Sequence, residues 1–263
     1  MITSPEISID KGNNPKSMTP SINAYNSEEF QTFIFDKTKQ FKDQIQDYIH
    51  KNLTVPKIAG LSFVSSPLKE SIPVVDLGGG AGIDFFIFQE IFKTNKKWIC
   101  LETEAMWKVM KDKFPEEEYL QFDTLTNFLE QTNQIDFSLY SNSALQYLND
   151  PINVLNSLLG MRPKRVAIIR TPFVIKGGEF SDLQKSNFSK NGPQVQETSL
   201  AQKVVANSVK FASLGSVKEL FQQHNYQIWC ENIQAGSFTT RSRLLKLKKS
   251  QVKTVDILAE RID

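Results

Sequence analysis

The sequence predicts an α/β protein built on an open, mostly parallel sheet with helices on both faces and an antiparallel pair of strands closing one edge. Three observations predict it. A β-branched run at 74–76 leads into Gly78, Gly79, Gly80 and Gly82 and then into an apolar helical pattern that begins at Ile83. Short apolar runs recur at 97–101, 118–122, 135–140 and 165–170 with helix-length stretches between them, as a parallel sheet requires. Two last extended runs, 226–232 and 241–247, have no helix between them and are joined through Gly236-Ser237.

Residues 1–25 hold Pro5, Gly12, Pro15 and Pro20, show no apolar periodicity and are expected to be a flexible tail. They have no apolar core and no small-residue cleavage site, so no secretory signal is expected. A helical cap follows over 26–70. Within it, 26–50 reads as one helix with a capping-box start at Asn26 and Glu29. Phe30, Phe33, Ile34, Phe41 and Ile45 form its apolar stripe, and Lys37 and Thr38 are the only break in it. Such a stripe serves either core packing or a cover over a ligand.

The first strand ends in Asp76, and the glycines follow it directly. A strand, a glycine turn and a helix in that order let the backbone approach a nucleotide-like ligand at a helix N-terminus. Spacing narrows the choice of ligand. The dinucleotide pattern G-x-G-x-x-G needs a glycine where Ile83 stands, which disfavours a nicotinamide-dependent oxidoreductase. A Walker A loop needs a lysine, and none is near. What remains is D-x-G-x-G-x-G over Asp76, Gly78, Gly80 and Gly82. A plain turn with no ligand needs one glycine, not four.

The helix expected at 83–93 places apolar residues at 83, 86, 87 and 91, with Asp84 in its first turn at the positive end of the dipole. The second strand, 97–101, ends in Glu102, and a carboxylate there is what a Rossmann-like site uses to hold ribose hydroxyls. Glu104 is the fallback if the strand runs two residues longer. A helix at 104–113 leads to the third strand, closed by Asp123. The fourth strand is followed by Ser141-Asn142-Ser143-Ala144-Leu145-Gln146-Tyr147-Leu148-Asn149-Asp150-Pro151, a loop at the carboxyl end of the sheet. Gln146 and Tyr147 either face a ligand or cap and pack this loop.

The fifth strand ends in Arg170-Thr171-Pro172-Phe173, which sets Arg170 either at the pocket mouth, where a cation pairs with an anion, or in a salt bridge. Residues 174–200 are polar and are expected to be a lid or acceptor-binding insertion; Glu197 is the one carboxylate in its second half and so a candidate base. A helix at 216–223, capped by Gly215-Ser216, precedes the closing hairpin, and 251–263 is expected as a C-terminal tail. Arg241, Arg243, Lys246, Lys248 and Lys249 read as solvated charges on an edge strand.

The glycine motif and the elements after it resemble the class I S-adenosylmethionine-dependent methyltransferases over residues 72–248. The resemblance implies a seven-stranded Rossmann-like sheet in one domain over 71–250, with S-adenosylmethionine as cofactor. By that resemblance Asp76, Gly78, Gly79, Gly80 and Gly82 cradle the cofactor, Glu102 takes its ribose, Asp123 its adenine, and Ser141 joins the same set. Gln146, Tyr147, Arg170 and Thr171 are the candidates for the acceptor. No residue stands out as the catalytic base. The Leu-Gly-Gly-Gly-Ala-Gly turn, the Tyr-Ser-Asn-Ser-Ala-Leu-Gln-Tyr loop and Arg-Thr-Pro-Phe resemble a methyltransferase family encoded among bacterial surface-polysaccharide genes. That narrower likeness implies O-methylation of a sugar or glycan precursor. A non-catalytic module that binds a nucleotide or partner on the same fold is the alternative.

Composition excludes other classes. The 263 residues are long enough for a substantial core, and 40% hydrophobic with 23% charged content is that of an ordinary soluble protein. A net charge of +2 gives no mandate for nucleic acid, and no apolar run reaches the ~18 residues of a membrane span, so a cytoplasmic protein is expected. Cys100 and Cys230 fall inside strands and are expected to be buried and structural. His50 and His224 are the only histidines, so neither a zinc site nor a histidine-based triad is expected.

Overall fold

The four residues Val74–Leu77 form β1, the centre of the molecule, and all four are buried. The computed structural model describes residues 27–65, 71–131, 135–187, 204–238 and 251–262. β1 is followed by α4 (Ile83–Phe92), β2 (Trp98–Glu102), α5 (Glu104–Met110), β3 (Leu120–Thr124) and α6 (Leu125–Gln131). Then come β4 (Ser138–Asn142), a single 3-10 turn (Leu145–Tyr147), α7 (Pro151–Gly160) and β5 (Arg165–Lys176). Three helices precede the sheet: α1 (Glu28–Asp43), α2 (Ile45–Asn52) and α3 (Val55–Ser65). After β5 stand β6 (Phe180–Asn187), β7 (Val204–Phe211), α8 (Leu214–Gln223), β8 (Tyr226–Phe238) and β9 (Gln251–Arg261).

Seven strands make one sheet in the order β3-β2-β1-β4-β5-β9-β8. The first five are parallel, and β9 and β8 run antiparallel to their neighbours. Side chains alternate between the two faces, as strand geometry dictates. Val74, Trp98, Cys100, Tyr140, Ala167 and Ile169 join α1, α3, α4 and α5 in one buried cluster. Val75, Leu77, Leu139, Val166 and Ile168 join α7 and α8 in the other. The seven-stranded sheet with helices on both faces is thus as expected.

Several boundaries differ from the sequence reading. The expected single helix 26–50 breaks at Gln44, whose φ of −117° and ψ of 12° leave the helical region. The cap of α1 is Ser27, which accepts from the Phe30 N–H at 3.3 Å, while Asn26 lies outside the described residues. α3, within the 26–70 segment, carries no strong apolar periodicity; the Arg165 guanidinium donates to its Phe63 carbonyl at 3.0 Å and ties it to the sheet. The cap of α8 is Ser213, and Gly215 and Ser216 lie inside the helix.

The closing hairpin is also different. β8 runs through Gly236 and Ser237 without turning, and its partner is β9, not 241–247, which lies outside the described residues. Residues 251–261, expected as part of a tail, are instead a strand: Val252, Val255, Ile257 and Ala259 are buried because β9 sits between β5 and β8 and pairs with both. β8 is left at the edge, so Cys230 is exposed instead of buried. The polar region at 174–200 holds the end of β5 and then β6, which pairs with β7 as a separate antiparallel hairpin; Glu197 lies outside the described residues. Among the described residues, no helix is long and apolar enough to cross a membrane.

Candidate functional site

A cavity of about 500 Å³ opens at the carboxyl ends of β1, β2 and β4, beside Arg170 in the middle of β5. The strand order reverses there: β1 leads to β2 and β3 on one side, and β4 and β5 lie on the other. That crevice is where open α/β sheets bind ligands. Its floor is Leu77, Gly78, Gly79 and Gly80, one wall is Leu101, Glu102, Thr103, Met106 and Leu125, and the other is Asn142, Ser143, Ala144, Tyr147 and Leu148. Phe30 and Ile34 of α1, Tyr48 of α2 and Lys57 of α3 complete it from the N-terminal side. The helical cap therefore forms part of the site.

The glycine turn has the backbone its sequence requires. Gly78, at φ 74°, passes so close to the loop after β4 that a Cβ on it would meet Ala144 Cβ at 2.4 Å. Gly80, at φ 61°, faces open space, with nothing within 4 Å of a Cβ placed there. Gly79 also lines the cavity, whereas Gly82 packs on Leu120 and starts α4.

The Gly80 N–H donates to Glu102 Oε1 at 2.5 Å, so the second-strand carboxylate grips the tip of the turn. Burial pushes the Glu102 carboxyl up to about 7, against the hydrogen bonds from the Gly80 and Thr103 N–H groups. Asp76 is 1% exposed, and its Oδ2 accepts from the Trp98 indole N–H at 3.1 Å. Burial, and then the negative charge of Asp84, raise its pKa well above the ordinary carboxyl value. Cys100, buried beside these acids, is pushed up likewise by burial first and Asp76 second, which makes its thiol inert.

Asp84 behaves in the opposite way. Burial alone would raise its pKa, yet the Lys57 ammonium at 2.6 Å and hydrogen bonds from Asn142 and Tyr140 hold it below the usual range. Asn142 Nδ2 donates to Asp84 Oδ2 at 2.7 Å and the Tyr140 hydroxyl donates to the same oxygen at 3.0 Å. Lys57 and Asp84 both line the cavity. Sequence reasoning gave Asp84 only a dipole role and missed Lys57 and Asn142 as site residues. Their link spans α3, α4 and β4, and no local pattern announces it.

Of the other candidates, Tyr147 and Arg170 line the cavity, and the Tyr147 hydroxyl also donates to Gln184 Oε1 on β6 at 2.8 Å. Gln146 is buried, with Nε2 on the Ser143 carbonyl at 2.8 Å, and braces the loop. Besides Gly82 and Gln146, three more candidates are not brought to the cavity wall. Ser141 donates its hydroxyl to the Leu77 carbonyl at 3.2 Å, Thr171 donates to the Ile169 carbonyl at 3.1 Å, and Asp123 accepts from the Thr124 N–H at 2.8 Å. Glu104 is exposed on α5 and pairs with Lys108. Neither histidine lines the cavity, and the His224 ring nitrogen lies 2.8 Å from Asn156 Oδ1, on another face. No cluster of metal-ligating side chains occurs among the described residues.

No family model matches the sequence, and no curated protein does. Solved structures do match. A geranyl diphosphate methyltransferase in complex with SAM superposes with a TM-score of 0.51 at 11% identity, over 84% of this chain and 90% of that one. The geranyl diphosphate C-methyltransferase from Streptomyces coelicolor A3(2), solved with Mg2+, geranyl diphosphate and S-adenosyl-L-homocysteine, gives 0.50 at 11% identity over 85% and 82%.

The chain has the class I methyltransferase fold.

β9, the last described strand, lies one place in from the edge of the sheet. At this identity the likeness concerns the fold.

Proposed function

We propose that this chain is an S-adenosylmethionine-dependent methyltransferase. The observation that supports this most is the joint between Glu102 and Gly80: an acid at the end of β2 meeting the tip of a left-handed glycine turn on the edge of a 500 Å³ cavity. The residues present fit the cofactor. The open space beside Gly80 admits a ligand where a side chain would fill it, and the cavity volume lies in the range of small-molecule sites. Gly78, Gly79 and Gly80 would take the backbone approach, Glu102 the ribose hydroxyls, and Met106 and Leu125 the apolar face of a purine ring.

The cofactor supplies a methyl group on a sulfonium, already bonded to a good leaving group. The protein's part is then alignment and the exclusion of water. α1 and α2 contribute Phe30, Ile34 and Tyr48, which cover the cavity with apolar and aromatic surface. Asp84 is held charged by three donors and fixes the Asn142 carboxamide at the end of β4. Tyr147 joins the wall to the β6–β7 hairpin, which supports the reading of that insertion as part of the acceptor side.

For the acceptor we propose the hydroxyl of a sugar or glycan precursor, on the strength of the resemblance of the glycine turn, the post-β4 loop and the β5 end to the polysaccharide-associated family. Calorimetry with S-adenosylhomocysteine tests the cofactor, with NAD expected to be inert. Labelled S-adenosylmethionine offered to sugar nucleotides, glycans, proteins and RNA tests the acceptor. Label in protein or RNA alone would overturn the carbohydrate reading, and heat from NAD with none from S-adenosylhomocysteine would overturn the whole.

A further inference from the structure

The backbone turns left-handed twice where the parallel pairing of β4 and β5 stops, at Ser143 just after β4 (φ 57°) and at Arg170 in the middle of β5 (φ 52°). The pairing of the two strands ends at Asn142 and Ile169, and the Ser143 N–H donates to the Ile169 carbonyl at 3.0 Å. For an arginine, whose Cβ crowds the following carbonyl oxygen at positive φ, this conformation is strained. Strain of this kind persists where the surroundings impose it, and it concentrates at binding sites.

The brace that imposes it is a buried acid. β5 slips register against β9 between Ile168 and Thr171, and the freed Arg170 N–H donates to Asp256 Oδ1 at 2.7 Å. Asp256 is 4% exposed and also accepts from Asn232 Nδ2 at 2.8 Å and Gln234 Nε2 at 3.3 Å. β5, β8 and β9 thus converge on one kink. Its effect is local: Ile169 and Thr171 stay buried in the sheet while Arg170 between them lines the cavity.

Among the described residues the Arg170 charge has no ion-pair partner. Lys57, the other lining cation, is neutralised by Asp84. Beside it, the Asn142 carboxamide is fixed through Nδ2 to Asp84, and its buried Oδ1 has no hydrogen-bond partner. One corner of the cavity therefore presents a free cation and an unfilled acceptor.

We infer that this corner binds the acceptor molecule, and that the acceptor is an acid: a carboxylate or phosphate group on Arg170, with a neighbouring hydroxyl or amine donating to Asn142. Arginine's planar fork matches both kinds of anion, and a neutral sugar would leave it unpaired. The inference rests on the methyltransferase reading and sharpens it. The one other source of such an anion is the cofactor's own carboxylate, so the experiment must separate the two.

Calorimetry on the full chain does so, with Arg170→Gly as the main variant. Glycine takes the positive φ without strain, so this variant loses the guanidinium and keeps the kink; Arg170→Met provides a second, with near-UV circular dichroism as the check on folding. Glucose 1-phosphate, glucuronate and glucose are titrated into the protein both alone and loaded with S-adenosylhomocysteine. Wild type should bind at least one of the two anions tenfold or more tighter than either variant does and ignore glucose, while S-adenosylhomocysteine affinity changes less than fivefold. A fivefold or greater loss of S-adenosylhomocysteine would assign Arg170 to the cofactor and overturn the inference. Anion binding that is absent from wild type, or less than tenfold weaker in the variants, would overturn it as well. Failure of S-adenosylhomocysteine to bind wild type would remove the proposed function instead, and the titrations of the unloaded protein would still decide the anion site.

Discussion

The Lys57 ammonium lies 2.6 Å from Asp84 Oδ1, with both side chains almost closed to solvent, and this pair bolts α3 to the first turn of α4. Removing one member leaves the other charged and unpaired in a poorly hydrated place. Lys57→Met is expected to cost about 3–5 kcal/mol in urea unfolding, more than Lys57→Met combined with Asp84→Asn. Acid sensitivity should follow. Asp84 has a depressed folded pKa, so its contribution is complete above the unfolded carboxyl value near ~4 and is lost as pH falls through the lower folded value. The acid midpoint of tryptophan fluorescence should therefore rise in Lys57→Met; an unchanged midpoint and unchanged urea curve would show the pair to be inert.

Glu102 gives the opposite sign. Its carboxyl is raised to about 7 in the folded protein, so it binds a proton more tightly there than in the unfolded chain. Its contribution to stability is complete below the unfolded value near ~4.3 and is lost as pH rises through about 7. Glu102→Gln should remove that slope and make the protein no less stable at pH ~8. Ligand binding moves the other way, because only the carboxylate accepts from both ribose hydroxyls. S-adenosylhomocysteine affinity should increase as pH rises through about 7 in wild type. In Glu102→Gln it should stay flat and be weaker by roughly 1–3 kcal/mol.

The two left-handed glycines at 78 and 80 should separate stability from binding. Gly80→Arg meets no atom within 4 Å of its Cβ, so it should cost only the roughly 1–2 kcal/mol of an L-residue at positive φ. Its side chain should fill the cavity and abolish S-adenosylhomocysteine binding. Gly78→Ala meets Ala144 Cβ at 2.4 Å and should lose about 2–5 kcal/mol of stability. Normal cofactor titration of Gly80→Arg would take the site away from this turn.

Tyr147→Phe removes the one hydroxyl that reaches from the cavity wall to Gln184. The expected loss is about 0.5–1.5 kcal/mol. Its mark should be faster amide exchange confined to 180–187 and 204–211, since that hairpin pairs with itself and not with the main sheet. Uniform acceleration over the whole sheet would argue against a local tether.

The parts legible in the sequence were those written in a few consecutive residues. Asp76 to Gly82, with Glu102 ending the next strand, marked the floor and one wall of the cavity, because backbone conformation and strand ends are local properties. Lys57 and Asp84 are 27 positions apart and meet only after α3 packs beside α4, so nothing in either neighbourhood signals the pair. The final strand was misplaced for a related reason. Both 241–247 and 251–261 carry apolar residues among charged ones, and the one that pairs between β5 and β8 is 251–261. Ser141, Thr171 and Asp123 were assigned by position in a family pattern, and each makes a short backbone hydrogen bond of its own.

The placement of β9 has a bearing on how the chain is made. Among the described residues β8 pairs with β9 alone, and β9 also fills the edge of β5 opposite β4. On the ribosome both strands emerge before the segment that joins them, so the nascent chain shows two unsatisfied ladders at once, the condition under which strands recruit wrong neighbours. Assembly of this half of the molecule must wait for synthesis to reach 251–261.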